Sequence, residues 1–277
     1  MRDFNKAIQF QDPYTKVIEN MLEKKLNPLL DKIEDSFFSQ LKKSKNLYLL
    51  AGDSLGIKRL DIIRNFVFLR DFYSPMRIIL DEYYIMSYKL GKKHILKELR
   101  LNDDKFKDVD RESSISIKNI SEIAVGEHLS SYSNLVEYVM FSVMKKNKNF
   151  QEFYSEVYNH PTFGKRKGKF NKAESREDQI QGGVFSSGSF YVSDVPSKRQ
   201  FLGNAKAFVI KSFNKARVEV FNKLGIGQRV IYKTQQDEKV SSICKPFHDQ
   251  EMSLEKAENS IPRHINCRCT FIPLWGV

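Results

Sequence analysis

Apolar side chains return every three or four residues along much of this sequence, a spacing that suits a helix and not a strand. Val17, Ile18, Met21, Leu22 and Leu26 begin the pattern, and Leu29, Leu30, Ile33, Phe37, Phe38 and Leu41 continue it. Asp12 reads as an N-cap with Pro13 in the first turn, and Pro28 predicts a kink or interruption. Lys42, Lys43 and Lys45 gather at the C-terminal end, where they suit the negative pole of the helix dipole. A second helical run is predicted from Ile57 to Leu99, broken near Ser74-Pro75, with Gly91 as a stop or a weak spot. Residues 101–111 are charged and poorly periodic, which predicts a connection. Helical signal returns from Ile117 to Val157, with Gly126 as a break. Phe66, Phe72, Tyr84 and Tyr88 read as packing residues, not a stacking platform.

The character changes near His160-Pro161. A dense basic stretch, Gly164-Lys165-Arg166-Lys167-Gly168-Lys169, is followed by Gly182-Gly183 and Ser186-Ser187-Gly188-Ser189, which predicts loop. A helix is then predicted from Phe201 to Leu224, with Ala205, Phe208, Val209, Phe213, Ala216, Val220 and Phe221 on one face and Gly225 and Gly227 ending it. Arg229 to Thr234 reads as a strand, followed by a polar turn from Gln235 to Glu238. A Glu-rich helix or loop follows Cys244, and a closing strand runs from Cys269 to Leu274. The fold class expected is α+β and predominantly α-helical: an N-terminal helical region, then a small α+β C-terminal domain with short strands.

Charge narrows the choice of partner. Among 277 residues, 46 Lys and Arg face 34 Asp and Glu, a net charge of +12. Such a surplus attracts polyanions, nucleic acid first; the plainer reading is a solvated lysine surface. Lys165, Arg166, Lys167 and Lys169 are candidates for a phosphate-backbone contact, where each cation displaces a counterion. No secretory signal opens the sequence, and no stretch approaches the ~20 apolar residues that span a bilayer. These features predict a protein made in a cytoplasm, kept there or packed into a particle assembled there, with no membrane partner.

Chemistry concentrates near the C-terminus. The three cysteines, Cys244, Cys267 and Cys269, lie in the last quarter of the chain, and His264 stands among them in Pro262-Arg263-His264-Ile265-Asn266-Cys267-Arg268-Cys269. Three thiolates and an imidazole are the ligands a tetrahedral zinc ion takes. Cys-x-Cys shares one ion only where the backbone is bent. Other readings stay open: a disulfide from Cys244 to Cys267 or Cys269, three buried thiols behaving as small hydrophobes, or a Cys-His nucleophilic dyad. No oxyanion-hole motif or third partner accompanies such a dyad, so no enzyme is expected.

This order of elements resembles the C-terminal half of the Mu F-like minor head proteins of tailed bacteriophages. The likeness rests on the helix from Ala205 to Phe221, Tyr232 and Thr234 on the strand, Asp237-Glu238 in the turn and Cys244. It is completed by the ending Pro262, His264, Asn266, Cys267, Arg268 and Cys269 before the strand from Thr270 to Leu274. The sequence departs from the family pattern at Phe247, where a second cysteine is usual, at Ile265, where proline is usual, and at Tyr232, often Trp. The missing thiol brings His264 or His248 into any four-ligand set. The resemblance implies residues 105–277 as a Mu F-like domain; the N-terminal helical region, residues 1–104, is expected from its position alone to dock on the portal. The resemblance also implies a portal-associated structural protein inside the capsid, acting in head assembly, DNA packaging or DNA ejection. Its partners would be the portal protein, other capsid proteins and packaged double-stranded DNA. Two further readings are a basic zinc-knuckle DNA-binding protein and a toxin-like ADP-ribosyltransferase, the latter echoed only by Ser187-Gly188-Ser189.

Overall fold

A computed structural model describes residues 5–43, 69–106, 113–126, 128–130, 150–158, 198–226, 228–235, 240–264 and 267–274. Helices dominate and a small antiparallel sheet closes the C-terminal end, the α+β class read from the sequence. Helix α1 (Asn5–Lys43) begins ahead of Asp12, which therefore lies inside the helix and does not cap it, and runs on through Pro13 and Pro28. Across Pro28, Leu22, Leu26, Leu30, Ile33 and Phe37 form one buried line. Each such side chain contributes about 2 kcal/mol, so together they outweigh the roughly 3 kcal/mol an interior proline costs. Val17 and Met21, predicted on that line, are exposed; Ile18 and Leu22 carry it instead.

Helix α2 (Leu69–Leu99) likewise continues through Pro75, where the sequence predicts a break, and through Gly91, read as a stop or a weak spot. Pro75 falls in the second turn, and the buried residues that follow it, Met76, Leu80, Tyr83 and Tyr84, hold the helix to the core. Gly91 is a point of contact: a Cβ there would stand 2.2 Å from the carbonyl oxygen of Phe213. Its absence lets two helix backbones meet. Tyr84 and Tyr88 are buried and Phe72 packs against the core, as packing residues should, while Phe66 lies outside the described residues. The expected connection after α2 holds a 3-10 turn, Asp103–Phe106, that buries Phe106. Residues 113–126 form α3, in which Gly126 is helical, and α4 is Phe150–Tyr158.

Helix α5 (Lys198–Leu224) is the axis of the molecule. Its predicted apolar face is buried, but so are Ala207, Ile210, Ser212, Asn214, Arg217 and Val218 on its other sides. A single apolar face underestimates it because α5 has helices on one flank and the sheet on the other. Ser87 Oγ donates to the Val209 carbonyl at 2.6 Å, and Arg217 forks onto Glu98 at 3.0 and 2.9 Å, tying α5 to α2. Tyr14 meets the His94 ring and Lys206 pairs with Glu23 at 2.6 Å, so α1 runs antiparallel to both. One core joins α1 to α4 with α5 residues from Phe201 to Ala216; a second joins the end of α2, Phe106, α5 residues from Ile210 to Phe221 and the sheet. The first core thus draws helices from both sides of residue 104.

Gly225 ends α5 at φ +64, giving its N–H to Asn222 and letting Ile226 N–H reach the Phe221 carbonyl. The chain then enters β1 (Arg229–Lys233), the central strand, flanked by β2 (Glu251–Ser253) and β3 (Thr270–Pro273), both antiparallel to it. Val230 pairs with Met252 on one side and Pro273 on the other. The sequence does not signal β2, whose three residues are too few to show a period. Helix α6 (Leu254–Ser260) follows at once, capped by Ser253 Oγ, which accepts from Lys256 N–H at 3.2 Å. Among the described residues, no helix is long and apolar enough to cross a membrane.

Candidate metal centre

The sheet assembles the site. Alternation along β1 turns Val230 and Tyr232 inward, both fully buried. Cys244 follows in a turn, its N–H on the Ser241 carbonyl, just before the 3-10 turn Lys245–Phe247. Cys267 and Cys269 lie in irregular backbone before β3. Pairing of Lys233 with Thr270 sets Cys269 beside the end of β1. The Cys-x-Cys step is therefore not part of a regular strand, as a shared ion requires.

The three sulfurs lie within 4.8 Å of one another, and all three cysteines are at most 2% exposed. Cys244 Sγ and Cys267 Sγ are 3.9 Å apart, far beyond the ~2.05 Å of a disulfide, and all three thiols are reduced. His264 Nε2 stands 3.1 Å from Cys244 Sγ, and the Tyr232 hydroxyl donates to the same sulfur at 3.7 Å. Hydrogen bonds from Cys244 and Cys269, then the nearby His264 and the Arg263 backbone, hold the Cys267 thiol well below its usual range. Its hydrogen bond to Cys267, with burial adding to it, pushes Cys244 up to about 12; hydrogen bonding to both neighbours drives Cys269 higher still. Burial, then the adjoining thiols, raises the Tyr232 hydroxyl, which remains a donor. Three buried sulfurs at this separation could hold a metal.

Neighbouring residues fix this arrangement. The Arg263 guanidinium lies 3.4 Å above the Phe247 ring and 5.5 Å from that of Tyr232, closing the outer side. Asn214, in the middle of α5, accepts from Thr270 Oγ1 at 2.8 Å and reaches the Cys269 carbonyl at 3.4 Å. Neither Asn214 nor Arg263 is legible as part of a site from the sequence; a lone Asn on an apolar helix is the faint signal the first leaves. His248, the other histidine near the cysteines, is engaged elsewhere. Its Nδ1 accepts from Thr234 N–H at 3.1 Å, and its Nε2 faces Asp249 at 3.3 Å. Of the two histidines, His264 is the one brought to the sulfurs.

The basic stretch with Lys165, Arg166, Lys167 and Lys169 lies outside the described residues, as does Ser187-Gly188-Ser189. No family model, curated protein or solved structure matches the chain.

Proposed function

We propose that this chain is a minor head protein of a tailed bacteriophage, a structural component associated with the portal, whose C-terminal module is clasped by a zinc ion. The observation that carries the reading is convergence: Cys244, Cys267 and Cys269, the cysteines of the phage-like pattern, meet in one buried place, with the half-buried His264 beside Cys244. Zinc–sulfur bonds of about 2.3 Å set tetrahedral sulfur–sulfur edges near 3.8 Å. The Cys244–Cys267 separation of 3.9 Å fits that edge, and His264 Nε2, 3.1 Å from Cys244 Sγ, is the candidate for a fourth donor. Zinc would hold the cysteines as thiolates and link the turn before Lys245 to the start of β3. The reading gives the site a structural role and no catalytic one.

Two measurements test this. Elemental analysis of purified protein should find about one zinc per chain, and Cys267→Ser should lose both the metal and thermal stability. Quantitative mass spectrometry of nuclease-treated virions should find the chain at no more than the portal's own copy number. Zinc in the protein but no copies in virions would discard the head reading and favour a free zinc-knuckle DNA-binding protein.

A further inference from the structure

A line of cations runs down the outer face of α2. Lys89, Lys93, Lys97 and Arg100 are all exposed and are separated by four, four and three residues. At 1.5 Å per residue they form a stripe about 16 Å long. None makes an ion pair with another described residue. Among the described residues, the acidic groups nearby are otherwise engaged: Glu98 holds Arg217, and Asp103 holds Lys92 at 2.7 Å. Glu82, the next acid along the same face, is about two turns away.

The helix dipole accounts for basic residues in the last turn only, which leaves Lys89 and Lys93 unexplained. Arg100 adds a second, independent observation. It sits at φ 57, one residue beyond α2, in the left-handed conformation that favours glycine. Its N–H reaches the Lys97 carbonyl and that of Leu101 reaches Leu96, the same closing motif that α5 makes with Gly225. One helix ends on the residue the geometry favours; the other keeps an arginine there at a cost of about 1 kcal/mol or more. Such a cost at an exposed position points to the guanidinium having a task.

We propose that Lys89, Lys93, Lys97 and Arg100 form a docking stripe for the phosphate backbone of double-helical DNA. The stripe offers only donors and positive charge, at helical intervals, which matches a linear polyanion and carries no base selectivity. A bilayer is the poorer match, because a surface-bound helix inserts its apolar face, and here that face, with Ile95, Leu96 and Leu99, is buried in the second core. The proposal does not rest on the minor head reading or on the metal.

The test uses the full-length protein and a labelled 30-base-pair duplex of random sequence, titrated at several salt concentrations. Replacing all four residues with Gln should weaken binding about ten-fold or more near 0.1 M salt, and lower the slope of log K against log salt by about 0.9 per residue. Arg100→Gly should lower that slope by about 0.9 while leaving Tm unchanged or higher. A control that removes charge from α1, Lys24→Gln with Lys25→Gln and Lys32→Gln, should change the slope much less. Three results would overturn the proposal: wild-type slope in the fourfold variant, equal loss in the α1 control, or tighter stripe-dependent binding to phosphatidylserine vesicles than to the duplex.

Discussion

His128 lies flat against Phe201, ring centroids 4.1 Å apart, and is almost wholly buried. Burial disfavours the imidazolium and pushes its pKa down to about 4, against about 6.5 in an unfolded chain. A depressed histidine stabilises the fold above the unfolded value, and that stability is lost as pH falls from 6.5 through about 4. The difference corresponds to roughly 3 kcal/mol. Urea midpoints measured from pH 7 to pH 4 should fall in the wild type, and His128→Phe should flatten that fall. At the candidate metal centre the two histidines separate. His264→Ala should weaken zinc binding by an order of magnitude or more, whereas His248→Ala should leave metal content intact, because its ring serves Thr234 and Asp249. Equal zinc loss in both would remove His264 from the ligand set.

Between elements, the junction of α2 and α5 depends on one missing side chain. A methyl group at Gly91 would sit 2.2 Å from a backbone oxygen of α5 that cannot swing aside. Gly91→Ala should therefore cost about 2 kcal/mol or more by forcing the helices apart, readable as a lower denaturation midpoint with helix content unchanged. A helix-propensity argument alone predicts the opposite sign, since alanine is the better helix former. The same junction carries the Arg217–Glu98 pair, with Arg217 1% exposed and one of its amino groups also on the Phe271 carbonyl at 3.3 Å. Arg217→Met leaves Glu98 half of a broken pair and should destabilise by about 3 kcal/mol. Adding Glu98→Gln should recover part of that loss; full additivity in the double-mutant cycle would mean the two groups do not couple.

Across the whole molecule the two cores differ in what holds them. The helical core joins α1 to α4 through large apolar side chains, while the second core places a short sheet and α6 around three cysteines. A sheet of three to five residues per strand buries little area by itself, so a metal clasp would matter most there. Hydrogen exchange after chelation should show loss of protection across β1, β3 and α6, with the buried centres of α1 and α2 protected as before. Uniform loss would make the molecule one cooperative unit; no change would leave the cysteines as packing residues.

Periodicity alone decided that this chain is helical with a small strand-bearing end, because apolar spacing and backbone period are the same information. It also placed α5 and its Gly225 stop closely, since a helix terminus has local causes. The grouping of Cys244, Cys267, Cys269 and His264 was legible as a candidate ligand set from residue type and spacing, and the structure brings the three cysteines together. Continuity through Pro28, Pro75 and Gly91 was not, since burial of Leu26, Met76 and their neighbours outweighs a local preference. Nor could sequence reveal that Gly91 is where two backbones touch, that Asn214 reaches across to β3, or that His264 and not His248 turns to the sulfurs. Those facts depend on which surfaces meet, and only tertiary packing brings residues so far apart in the chain within a few ångströms.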